Sequence, residues 1–131
     1  SLYETDLGDR DIITAIKVPK IRDDYCSAFD ELARRHGDYA MCGVAVHGKV
    51  VKNIISDLRL VFFAVAGTPV IARNAMNTME GLSVNEDSIN SIQNALEDDL
   101  DTFDDLQCSA KLRMHYAKVL TKRVLNSLVK F

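Results

Sequence analysis

Residues 37–69 read GDYAMCGVAVHGKVVKNIISDLRLVFFAVAGTP, the longest mostly apolar run in the chain. Val, Ile, Leu and Phe dominate it, a composition that suits a pleated, half-buried surface. A polar pair, Lys52-Asn53, interrupts the run. Asn tolerates positive φ, so the stretch reads as an antiparallel hairpin with arms at 39–51 and 54–66. In the second arm Leu58, Leu60, Phe62 and Ala64 point one way, and Asp57, Arg59, Val61 and Phe63 the other. That second face starts polar and turns apolar. It is expected to be wet near the turn and covered near Phe63. The hairpin forms the middle of a sheet.

Upstream, residues 11–18 (DIITAIKV) alternate like a strand, with Ile12, Thr14, Ile16 and Val18 on one face. Pro19 ends it by removing a donor, and the charged residues 20–24 read as a loop. Residues 25–35 (YCSAFDELARR) fit two descriptions. Phe29, Leu32 and Ala33 make a helical face, and propensity favours that; Tyr25, Ser27, Phe29, Glu31 and Ala33 equally make one face of a strand.

Downstream, Gly67-Thr68-Pro69 breaks the second arm, with Thr68 placed to cap a short helix over 70–79 and Pro69 at its first position. Ser83 and Glu86 have capping-box spacing ahead of a helix over 83–100, whose stripe is Ile89, Ile92, Ala95 and Leu96. Residues 97–105 hold six acids in nine positions, a solvated linker that also complements a helix start. Ser109 caps a last helix to about residue 130, with the stripe Leu112, Tyr116, Val119, Leu120, Val124 and Leu128. Lys111, Arg113, Lys118, Lys122, Arg123 and Lys130 supply its wet cationic side.

The 131 residues are expected to form one domain, and 47% apolar content supplies its core. A net charge of −3 argues against non-specific nucleic-acid binding, which needs a basic face. No apolar run has membrane-spanning length, and Asp6, Asp9, Arg10 and Asp11 break any leader-like apolar segment near the start. A cytoplasmic location is the expectation. Cys26, Cys42 and Cys108 have no cluster or zinc spacing and read as isolated buried thiols. His36, His47 and His115 lack partners of ligand type. Cys42 and His47 are five apart in a strand, hence on opposite faces, which argues against a nucleophile–base pair. The acidic run lacks the glycine and ligand spacing of a calcium loop. Neither a P-loop nor GxGxxG occurs. The residues alone describe an α+β domain without a complete active site.

A succession of short segments carries a resemblance: Asp11-Ile-Ile-Thr-Ala-Ile-Lys-Val-Pro19, Ser27-Ala-Phe29, Ala33-Arg-Arg35, Gly37-Asp-Tyr-Ala40, Leu58-Arg-Leu60, Ala64-Val-Ala-Gly-Thr-Pro69 and Ala72-Arg73, then Asp104-Asp-Leu106, Ser109-Ala110, Arg113 and Leu120-Thr-Lys-Arg-Val-Leu125. In order and spacing they resemble the C-terminal domain of the flavoprotein (medium) subunit of carbon monoxide dehydrogenase and of xanthine dehydrogenase-type molybdenum hydroxylases. The resemblance implies an α+β fold, an antiparallel sheet of three to four strands packed against a small C-terminal helical bundle. It implies that residues 25–35 form a strand.

The resemblance also implies a role within an oxidoreductase in which electrons pass from molybdenum through iron–sulfur clusters to FAD. Preceding FAD-binding domains, absent from this sequence, would hold the cofactor with two glycine-rich loops. This domain would close the FAD site and dock to the iron–sulfur and molybdenum subunits or domains during electron transfer, without being catalytic on its own. The positions implied to lie near the flavin ring are Asp38, Tyr39 and Ala40, with Ser56 also beside the ring, where the animal enzymes carry lysine. Taken as a residue, Tyr39 reads either as an aromatic face for a flavin or as the first position of a core strand. The alternative role is a non-catalytic interaction module without flavin dependence.

Overall fold

A computed structural model describes residues 4–129. Four strands, β1 (Tyr25–Ala33), β2 (Ala40–Val51), β3 (Ile54–Phe63) and β4 (Val70–Ile71), precede three helices, α1 (Arg73–Met79), α2 (Glu86–Asp99) and α3 (Ala110–Leu128). The strands form one antiparallel sheet in the order β1-β2-β3-β4. The hairpin of β2 and β3 sits at its centre, as its apolar alternation requires. Val51 pairs with Ile54 across a two-residue turn, and Lys52 and Asn53 take φ of 49° and 65°. Two successive positive φ values match the turn's twist to that of the strands.

The sheet has one covered face. Val44 and Val46 of β2, with Leu58, Leu60 and Phe62 of β3, are buried beneath the helices. Ile55 also points inward, although it is three positions from Leu58. A bulge explains the change of phase. The register shifts between His47 and Lys49, and Asp57 there has φ of 47°. The helices add Ala75, Met79, Ile89, Ile92, Leu96, Leu120, Val124 and Leu125 to the same cluster.

Several expectations change. Residues 11–18 form no strand, and Ile12, Ile16 and Val18 are more than four-fifths exposed. Alternation makes a strand only where a ladder partner exists, and none lies beside this segment among the described residues. Residues 25–33 are a strand, so tertiary pairing outweighs helical propensity there. The region 70–79 divides. Val70 and Ile71 pair with Phe62 and Val61, and the helix begins only at Arg73. Thr68 does not cap it. The carboxylate of Asp99 accepts from the backbone N–H groups of Asn74 (3.0 Å) and Ala75 (2.8 Å) instead.

The capping box of α2 is likewise built on Asn85 and Ser88 rather than Ser83 and Glu86. Ser109 caps α3 as expected, its hydroxyl accepting from Leu112 N–H. The buried stripe of α3 is rotated from the expected one. Leu120, Val124 and Leu128 belong to it, but so do Arg113, Ala117, Thr121 and Leu125, while Leu112 is exposed. No helix among the described residues is long and apolar enough to cross a membrane.

Candidate functional site

The entrance to β2 is a tight, polar turn. Gly37 has φ of 80°, a conformation glycine adopts without steric cost. Asp38 N–H donates to Arg35 C=O at 3.1 Å, and Asp38 Oδ1 in turn accepts from Tyr39 N–H at 2.9 Å. Ala40 then pairs with Ala33 at the end of β1. The turn leaves Tyr39 86% exposed, so its ring is not a core-strand aromatic. Asp38 and Ala40 are half-buried on either side.

Beneath the turn lies a group that sequence reasoning placed in water. Arg113, on the first turn of α3, is 2% exposed. Its Nη1 donates to Met41 C=O (2.7 Å) and to Ala64 C=O (2.6 Å), its Nε to Phe103 C=O (3.2 Å), and its Nη2 to Asp105 Oδ2 (2.6 Å). Its guanidinium also lies over the Phe103 ring at 4.2 Å. Asp105 is held below the ordinary carboxylate range by N–H donors from Cys108 and Gln107 and by Arg113. A basic helix hides such a residue among its solvated cations. The acids at 104 and 105, a few residues upstream, were the available signal.

Ser56 is elsewhere. It pairs with Lys49 near the Lys52-Asn53 turn, nine positions along β2 from Ala40. At about 3.3 Å per residue that is about 30 Å. Asp38, Tyr39 and Ala40 form one locus at one end of the sheet, and Ser56 belongs to the other end. The sheet therefore does not bring Ser56 together with the other three.

The face of the sheet away from the helices carries a second set of features. Phe29, Ala45, Val61 and Ile71 stand in register across all four strands. Phe29 is 61% and Ile71 46% exposed. The Phe63 ring stacks on Phe29, with centroids 5.7 Å apart and planes within 6°. Half-buried Phe63 is thus only partly covered, as its position on the far face allows.

Toward the hairpin turn the same face becomes polar, as the sequence of β3 requires. Tyr25 Oη donates to Asp57 Oδ2 at 2.7 Å, and Arg59 pairs with the same carboxylate at 3.3 Å. Asp57 is lowered by the Tyr25 hydrogen bond, and Tyr25 is raised by it. Ser27 Oγ lies 2.8 Å from His47 Nδ1, and the imidazole stacks on Tyr25 at 5.0 Å.

A Ser–His contact suggests nucleophilic catalysis only when an acid orients the imidazole and donors await an oxyanion. Asp57 is committed to Tyr25 and Arg59, and the Ser27–His47 pair sits on an open sheet surface. Cys42 offers no nucleophile either, since burial pushes its thiol up to about 12. Among the described residues no group of three His, Cys, Asp or Glu side chains is arranged to hold a metal ion.

The chain is similar in sequence and in fold to known proteins. The glyceraldehyde dehydrogenase medium chain of Sulfolobus acidocaldarius is 29% identical over 121 residues, covering 92% of this chain and 43% of that protein. The xanthine dehydrogenase FAD-binding subunit of Escherichia coli O157:H7 is 26% identical, covering 85% and 38%. The solved carbon monoxide dehydrogenase of Hydrogenophaga pseudoflava superposes with a TM-score of 0.79 at 25% identity, over 85% of this chain and 39% of that one. The chain thus spans less than half the length of these relatives. Residues 27–128 match the family model described as the CO dehydrogenase flavoprotein C-terminal domain, and the chain belongs to that family.

Proposed function

We propose that this chain closes the flavin site of an FAD-dependent, molybdenum-hydroxylase-type oxidoreductase, with Asp38, Tyr39 and Ala40 facing the isoalloxazine ring. One observation carries the proposal: an aromatic side chain, 86% exposed, stands on a backbone turn that is itself fixed by hydrogen bonds. Exposing a tyrosine ring costs hydrophobic free energy that a planar partner would recover. The residues fit a wall and not a cradle, because no glycine-rich phosphate loop is present in the sequence. Bound FAD would supply electron transfer between the metal centres and an acceptor; this chain would supply packing and exclusion of water on one side of the ring. Ser56 takes no part at that locus.

The same proposal gives the outer face of the sheet an occupant, the flavin-binding half of the subunit. The apolar row from Phe29 to Ile71 matches an interface core, and the polar cluster of Tyr25, Asp57 and Arg59 a rim. The exposed alternation of residues 11–18 suits pairing with a strand of that half. Iron–sulfur and molybdenum subunits would dock onto the assembled subunit, in the cytoplasm.

Flavin titration tests the division of labour. The chain alone is expected to leave FAD fluorescence unquenched at micromolar concentration, whereas the chain joined to its flavin-binding half binds FAD. Tight FAD binding by the chain alone would refute it. The bare apolar row also favours a second role, an interaction module without flavin dependence. That role is selected if the joined protein binds no flavin and the chain self-associates.

A further inference from the structure

We propose that Arg113 is a positioning residue for the flavin-facing turn, a role that rests on the flavin-wall function above. Tyr39 has no packing of its own to set its direction, being almost fully exposed. Its backbone is held from two sides. Ahead of it are the Asp38 hydrogen bonds; behind it, two residues along, is the Met41 carbonyl that Arg113 Nη1 grips at 2.7 Å. The same nitrogen holds the Ala64 carbonyl at 2.6 Å. Ala64 has φ of 57°, so the chain turns sharply just past β3. One guanidinium therefore ties the entrance of β2 to the exit of β3.

The guanidinium is itself immobilised from the α3 side by Phe103 C=O, the Phe103 ring and the Asp105 carboxylate. Four donor contacts in fixed directions need the planar fork of arginine. A lysine ammonium has three rotatable donors and no plane to lay on Phe103. The buried charge is matched by one carboxylate and three carbonyls, and no buried side-chain polar atom among the described residues lacks a partner. The arrangement makes α3 the support that sets the height and tilt of residues 38–41.

The test uses the FAD-loaded flavoprotein subunit carrying Arg113→Lys, Arg113→Met or Asp105→Asn, compared with Tyr39→Ala. The readouts are amide exchange of residues 38–41 and the visible circular dichroism of the flavin. Arg113→Met is expected to speed exchange at 38–41 about tenfold while the sheet centre stays protected. Its flavin dichroism should change as it does in Tyr39→Ala, and the double variant should show no further change. Arg113→Lys should not rescue. If Arg113→Met does not fold, Asp105→Asn, which loosens the guanidinium without removing it, carries the test with a smaller increase in exchange.

Wild-type exchange at 38–41 in the folded Arg113 and Asp105 variants overturns the proposal, whatever Tyr39→Ala does. Wild-type flavin dichroism in Tyr39→Ala overturns the flavin-wall function instead. Exchange at 38–41 then still decides whether Arg113 holds the turn.

Discussion

Gly43 is the position where the outer face of the sheet can be probed most sharply. It is buried in β2 opposite Phe63, whose ring lies flat over it. A Cβ built at Gly43 comes closer than 3.0 Å to three carbons of that ring, a separation real Cβ atoms do not show. In Gly43→Ala the ring must leave. It then loses its parallel stack on Phe29, worth about 0.5–1.5 kcal/mol. It also takes a poorer rotamer at a further cost of about 0.5–1.5 kcal/mol. The expected destabilisation is about 1–3 kcal/mol, the sum of those two costs.

In a Phe63→Ala background the obstacle is gone. The same Gly43→Ala change then removes backbone freedom from the unfolded chain and should stabilise by about 0.5–1 kcal/mol. The sign therefore inverts between backgrounds. Urea unfolding followed by far-ultraviolet dichroism, with an unchanged slope, measures all four proteins. Melting shifts should be about 4 °C per kcal/mol for a domain of this size. Equal costs of Gly43→Ala in both backgrounds would refute the placement of the Phe63 ring.

Two further outcomes follow from contacts that cross between elements. Asp99→Ala leaves the first N–H groups of α1 without their acceptor and should cost about 0.5–2 kcal/mol in the same unfolding assay, whereas Thr68→Ala should be near neutral. Asp24, Asp57 and Asp105 are all lowered, by Lys49, by Tyr25 and by the Cys108 N–H respectively. A carboxylate with a depressed folded pKa contributes stability that is present above its unfolded value, about 4, and lost as pH falls through the folded value. The melting temperature should accordingly hold above about pH 5 and fall progressively below pH 4; a rise on acidification contradicts the three partnerships.

The hairpin was legible because two physical signals coincide in it, a period-two apolar pattern and a pair able to take positive φ. The strand at 25–33 was not legible from its own residues, since its pairing with β2 decides the matter and pairing is not a local property. The segment 11–18 shows the converse, a clean strand pattern with no neighbour to pair with among the described residues. Pro69 misled because its fixed φ suits a strand entrance as well as a helix start. The caps of α1 and α2 came from residues that satisfy the geometry, Asp99 and Asn85, rather than from those with the familiar spacing. At the site, the Asp38-Tyr39-Ala40 locus was visible as a turn. Arg113 was not, because burial of a cation is set by carbonyls from distant strands.

The strand order has a consequence for how the molecule assembles. Among the four strands of the described sheet, ladder neighbours are also neighbours along the chain, and the central pair closes through two residues. Loop closure is least costly for such contacts, so the ladder zips outward from Lys52-Asn53 before longer loops have closed. Helix α3 must return from the far end of the chain to cover β1 and β2. Its docking, and with it the closing of the Arg113 clamp, is expected to fall late in folding. The entrance of β2 is then the last part of the central hairpin to be fixed.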